Sequence, residues 1–172
     1  MEAKVALGWT IIFIDESIFQ VKAHITKGIF KVGSSPTIIH LFTREKIFVF
    51  GGLSECFFTS CMADKLNHET YLRYVEFLVR KYGKIILVLD GVKYHFEKAK
   101  VQKFYQEHED VLEIIQLPAY SPKLNPIEQV WKKIKRWLGT RIWYTVEELQ
   151  EQLTSALNNP DFRVKIYNYY MR

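Results

Sequence analysis

The chain reads as a single α/β domain, a mixed β-sheet flanked by helices on both faces, and two features of its apolar pattern predict this. Up to about residue 62, short β-branched and aromatic runs alternate with turn residues, the layout of an antiparallel meander. Beyond residue 67 the apolar residues recur every three or four positions, and helical segments alternate with short apolar strands. With 172 residues the chain is long enough for one domain with a substantial core and short for two.

Taken in order, Trp9 to Glu16 (WTIIFIDE) is a buried strand ending in carboxylates. Ile18 to Ile25 follows as its partner strand after Ser17, and Gly28 to Pro36 is a turn-rich loop. Lys46 to Leu53 and Glu55 to Met62 are two further strands, with the hairpin turn placed around Gly51-Gly52. Tyr71, Leu72, Val75, Leu78, Val79 and Tyr82 then mark an amphipathic helix from His68 to Tyr82, with Asn67 as its cap and Gly83 as its stop. Lys84 to Asp90 (KIILVLD) is the nearly continuous apolar run of a strand covered on both faces. A helix over about Phe96 to Glu107, a strand over Val111 to Leu117 and a helix from Pro126 to about Leu138 come next. Thr145 opens the last helix, with Glu148 in the capping-box position.

Composition excludes several classes. The chain is 48% hydrophobic and 25% charged, as globular domains are. No apolar run reaches the roughly 18–20 residues needed to cross a bilayer, and the N-terminus lacks a signal-peptide layout, so a cytoplasmic protein without membrane contact is expected. Cys56 and Cys61 lie five apart in one apolar run; as strand residues they would face opposite ways, so they read as buried free thiols rather than a disulfide. The net charge is +5, and between Ser121 and Arg141 six basic residues stand against the single acid Glu128. Such a block suits a polyanion, since each neutralised phosphate releases counterions. A solvated helix face has the same composition.

Three carboxylates stand in positions where chemistry gathers. Asp15 and Asp90 each sit at the carboxyl end of an apolar strand, where ligands of open sheets bind. If those strands are parallel neighbours, the two acids lie side by side, and either one protonates or a cation sits between them. Mg²⁺ prefers such hard oxygen donors and keeps waters that phosphate can displace. The alternative is that each aspartate merely ends its strand. Glu128 is the third, in SPKLNPIEQVW; there Asn125 and Glu128 also fit a capping box, and Glu128 could pair with Lys132. On a helical projection Ile127, Val130, Trp131, Ile134 and Leu138 form the buried stripe, while Glu128, Lys132 and Lys135 share another face.

FIDES around Asp15, LVLDGVKYH around Asp90 and LPAYSPKLNPIEQVWKKIK around Glu128 resemble, in order and approximate spacing, the three signatures of the DDE transposases, specifically the mariner-like group and its prokaryotic insertion-sequence relatives. The third is long and specific, and together they bracket residues 9 to about 157. The resemblance implies a ribonuclease-H-like fold in which Asp15, Asp90 and Glu128 are catalytic and hold two Mg²⁺ (or Mn²⁺) ions. It implies metal-dependent DNA strand cleavage and strand transfer on element ends and target DNA, beside the nucleoid. It also implies Glu as third acid, where true mariner elements have Asp. Synapsis of two ends suggests a homodimer, with a monomer as the alternative for an isolated domain.

The sequence departs from that pattern at Gly91, where the group often has Asn directly after the second acid. No helix-turn-helix segment precedes the first strand, so residues 1–172 are expected to be a single catalytic domain lacking that N-terminal DNA-binding region. Lys123, Lys132, Lys133, Lys135 and Arg136 are the candidates for phosphate contact. His95 matches a recurrent histidine of the group and either touches DNA or packs. Glu16 matches an acid common after the first Asp, and as the opposite face of the strand end it is expected to support rather than ligate. Trp131 and Trp137 could stack bases, although Trp131 lies on the apolar stripe. Competing readings are an inactive transposase remnant that binds DNA or protein, and another ribonuclease-H-like nuclease.

Overall fold

The computed structural model describes residues 2–21, 31–34, 44–91, 95–96, 98–118, 121–141 and 143–166. Its elements run in the order α1 (Glu2–Ala6), β1 (Thr10–Gln20), β2 (Lys46–Leu53), β3 (Phe58–Ala63), α2 (His68–Tyr82), β4 (Ile85–Leu89), α3 (Ala99–Glu107), β5 (Leu112–Gln116), α4 (Ile127–Leu138) and α5 (Val146–Asn158). The five strands form one sheet in the order β3-β2-β1-β4-β5. The β1–β2 and β2–β3 pairs are antiparallel, while β1–β4 and β4–β5 are parallel. The predicted mixed sheet is therefore observed.

Helices cover both faces, as the periodicity required. On one side α4 and α5 pack onto Phe19, Ile47, Val49 and Leu53 of the sheet. On the other, α2 and α3 pack onto Ile12, Ile14, Phe50 and the β4 residues Ile85, Leu87 and Leu89. All five residues of β4 are buried, which explains its unbroken apolar run. The caps of α2 fall where the sequence placed them. Asn67 accepts from the Glu69 and Thr70 amides, and Gly83 takes a positive φ of 72° at the stop. The Thr145 hydroxyl caps α5 by accepting from the Glu148 amide at 3.2 Å. No helix among the described residues is long and apolar enough to cross a membrane.

Four local expectations are corrected. Ser17 does not break β1, which runs on as one strand to Gln20; residues 22–30, including the rest of the expected partner strand, lie outside the described residues. Gly51 and Gly52 are interior positions of β2, and the turn falls instead at Ser54–Phe57, where the Ser54 amide donates to the Phe57 carbonyl at 2.8 Å. The two glycines are there because side chains from opposite faces press onto the strand: a Cβ on Gly51 would lie 2.4 Å from the Trp131 ring, and one on Gly52 would lie 2.9 Å from the Tyr74 hydroxyl. Cys56 and Cys61 are exposed free thiols, because one lies in that turn and the other on the edge strand β3. Finally, the Asn125 side chain makes no cap for α4. Its amide instead donates to the Ile14 carbonyl at 3.2 Å, tying the loop before α4 to β1.

Candidate active site

The register of the parallel pair brings the first two acids together. Phe13 of β1 stands opposite Val88 of β4, so two residues further along each strand Asp15 faces the Asp90 position, just past the end of β4. Alternation along β1 points Asp15, Ser17 and Phe19 toward α4, and Ile12, Ile14 and Glu16 toward α2. The loop that Asn125 fastens to Ile14 delivers α4 to the same strand end, with Glu128 in its first turn.

The electrostatics of Asp15 report how closely the acids gather. Its carboxyl is pushed from 3.8 up to about 8, first by burial and then by the negative charges of Glu128, Glu16 and Asp90. An acid so held stays protonated near neutrality or recruits a cation. Asp90 is more open, with 48% of its side chain exposed. Among the described residues no three Asp, Glu, His or Cys side chains already stand as a metal-ligating cluster. The donor set of Asp15, Asp90 and Glu128 is all oxygen, which suits a hard divalent ion. No salt bridge joins Glu128 to Lys132 among the described residues, so that local role for Glu128 is absent.

Behind the acids lies a buried polar layer on the α2 side. Glu16 and His95, 7% and 1% exposed at their side chains, meet at 2.8 Å between Oε1 and Nε2. His95 Nδ1 is 3.7 Å from Asp90 Oδ1. The Tyr71 ring lies 4.3 Å from the imidazole, its hydroxyl meets that of Tyr105 at 2.7 Å, and Tyr105 donates to the His95 carbonyl at 3.0 Å. His95, for which the sequence left DNA contact and packing both open, is packed inside and links the carboxyl ends of β1 and β4. Glu16 lies on the opposite face of β1 from Asp15, in contact with His95. Gly91 leaves room that the Gln116 carboxamide fills; a Cβ there would lie 2.8 Å from its nitrogen.

On the α4 side Trp131 is 1% exposed and donates from Nε1 to Asp15 Oδ2 at 3.1 Å. It cannot stack a base. Lys123, Lys132, Lys133, Lys135 and Arg136 are all exposed. Lys132, Lys135 and Arg136 share the Glu128 face of α4, and Lys135 lies 5.8 Å from the Phe19 ring. Lys133 points elsewhere, donating to the carbonyls of Asp161 and Arg163 at 3.2 and 3.0 Å. Sequence reasoning missed Gly51 and the Trp131 N–H as parts of this site. The only available signal was a glycine opposite the wrong element, in a strand still unpaired on paper.

A family model described as DDE superfamily endonuclease matches residues 10–150. No curated protein sequence matches the chain. Among solved structures, a pre-cleavage Mos1 transpososome aligns with a TM-score of 0.72 at 15% identity, covering 98% of this chain and 54% of that one. The mariner Mos1 paired end complex with Mg aligns with a TM-score of 0.70 at 16% identity, covering 94% and 51%. The simian T-cell lymphotropic virus intasome in complex with PP2A regulatory subunit B56 gamma follows at 0.54 and 7% identity, covering 86% and 46%. At these identities the likeness is one of fold, the ribonuclease-H-like arrangement anticipated from the signatures. The chain spans about half the length of the Mos1 chains it resembles.

Proposed function

Since the chain belongs to the DDE superfamily endonucleases, we propose that it is the catalytic domain of a transposase, cutting and joining DNA strands at Asp15, Asp90 and Glu128. The observation that carries this reading is the convergence on Asp15: a parallel neighbour supplies Asp90 in register, and α4 supplies Glu128 close enough to act on its charge. Two strand-end aspartates serving only as turn residues would not draw in a helix acid from residue 128.

Asp15, Asp90 and Glu128 would hold two Mg²⁺ or Mn²⁺ ions between them, consistent with the Mg and Mn complexes among the Mos1 neighbours. Such ions, when bound, polarise the scissile phosphate and make water or a 3′-hydroxyl a competent nucleophile. The chain's own work is alignment and charge balance. Glu16 and His95 fix the ends of β1 and β4 relative to one another, so the two aspartates keep their separation. Lys132, Lys135 and Arg136 line the Glu128 face of α4 and would bind the DNA backbone, with Lys123 from the preceding turn. Lys133 is engaged with the C-terminal segment and contributes fold stability instead.

The test is nicking of supercoiled plasmid by the purified chain in Mn²⁺, in Mg²⁺ and in EDTA. Metal-dependent nicking that Asp15→Asn, Asp90→Asn and Glu128→Gln each abolish is expected. Nicking that survives Asp90→Asn would overturn the site. DNA binding with no nicking under any metal would make the chain an inactive DNA-binding remnant.

A further inference from the structure

Trp131 is the one side chain seen to hydrogen-bond Asp15 among the described residues, and the way the fold accommodates it is specific. Its indole is buried edge-on against Phe19 and Phe58, with ring centroids 6.3 and 5.8 Å away at interplanar angles of 72° and 77°. On the sheet side it rests directly on the backbone of Gly51, which is the β2 residue paired with Asp15. A Cβ at Gly51 would lie 2.4 and 2.6 Å from Cζ2 and Cη2 of the ring and 3.0 Å from Ile127 Cδ1. No side chain larger than hydrogen fits there without moving the indole. The ring is therefore fixed on three sides, and its N–H reaches across to Asp15 Oδ2 at 3.1 Å.

We propose that Trp131 is a positioning residue for the metal site: its N–H holds Oδ2 of Asp15, fixes the direction in which the carboxylate faces the shared cation, and depends on Gly51 for its seat. A carboxylate held by a fixed donor presents its remaining lone pairs to a metal in a fixed direction. A Trp serving only as core would satisfy its N–H equally well on any backbone carbonyl; here it reaches a candidate ligand. The inference rests on Asp15 being a ligand, and the experiment separates the two claims.

Mn²⁺ binding to the full chain is measured by electron paramagnetic resonance of the free ion, alongside circular dichroism and thermal melts. Trp131→Phe keeps most of the ring and removes the donor; it is expected to fold and to bind Mn²⁺ about tenfold more weakly or worse, the scale on which outer-shell donors act. Gly51→Ala, which displaces the ring while keeping the N–H, is expected to lose affinity similarly and to lower the melting temperature. The double variant Gly51→Ala, Trp131→Phe is the decisive control. Phe lacks the Cζ2 and Cη2 atoms that meet the added methyl group, so packing recovers while Mn²⁺ affinity does not. If Trp131→Phe alone fails to fold, the double variant carries the test. Wild-type Mn²⁺ affinity in the phenylalanine variants, with affinity lost in Asp15→Asn, would sink the proposal alone. Undiminished binding in Asp15→Asn would sink the reading of Asp15 beneath it.

Discussion

Replacing Asp15 by asparagine keeps the side chain's shape and its acceptor for the Trp131 N–H, but removes the charge that its surroundings disfavour. Burial first, and then Glu128, Glu16 and Asp90, raise the carboxyl from 3.8 to about 8. The folded chain thus retains a proton that the unfolded chain releases above about pH 4. The stability contributed by this group is full below the unfolded value and is lost as the pH climbs toward 8. At pH 7 the 3.2 pH units above 3.8, at about 1.36 kcal/mol each, bound the cost on the order of 4 kcal/mol. A domain of this size melts roughly 2–4 °C lower per kcal/mol, so in EDTA at pH 7 Asp15→Asn should melt above wild type, by at most roughly 8–16 °C. The assay is a set of thermal melts from about pH 4 to about pH 8.5, with and without saturating Mg²⁺. The difference between variant and wild type should grow with pH in EDTA, and Mg²⁺ should stabilise wild type alone. Equal melting temperatures for the two proteins throughout pH 5–8 in EDTA would refute the electrostatic account of the site.

Four further outcomes follow from particular contacts. Gly51→Ala forces a buried indole to move and should cost roughly 1–3 kcal/mol by overpacking, read as a shifted urea midpoint at unchanged slope. His95→Ala strands the buried Glu16 carboxylate and opens a cavity beside Tyr71; a loss of about 3 kcal/mol is expected, with His95→Gln recovering part of it. Replacing Lys132, Lys135 and Arg136 together by alanine should weaken DNA binding for all sequences alike and reduce the slope of log affinity against log salt by about 2–3. Replacing Lys133, whose ammonium is held by two carbonyls, should leave that slope unchanged and lower the melting temperature instead.

The fold was legible wherever a pattern reports burial directly. The β4 run is apolar because both faces are covered, and α2 announces itself through its stripe, Asn67 and Gly83. Errors arose where the deciding contact comes from a distant part of the chain. Gly51-Gly52 has the composition of a turn, and only α4 on one face and Tyr74 of α2 on the other make it a strand interior. Asn125 precedes a helix as a cap should, yet a carbonyl 111 residues away takes its amide. The cysteines read as buried from the composition of their neighbours, but β3 is the sheet edge, which strand order alone decides.

The three acids could be proposed in advance through the signatures around them, although a carboxylate ending a strand or opening a helix also has an ordinary local reading. Their support could not, since it is built from residue types that look like core. Tyr71 and Trp131 lie on the apolar stripes of their helices, yet Trp131 donates to Asp15 and the Tyr71 hydroxyl meets that of Tyr105, which donates to the His95 carbonyl. Amphipathic aromatics suit this place for a physical reason. An aliphatic wall would raise the cost of ionising Asp15 without directing the charge, and a second polar side chain would bring in water that competes for it. An indole wedged over a glycine excludes water and directs one oxygen of Asp15, so in the proposed site the acid would meet a cation in a fixed orientation.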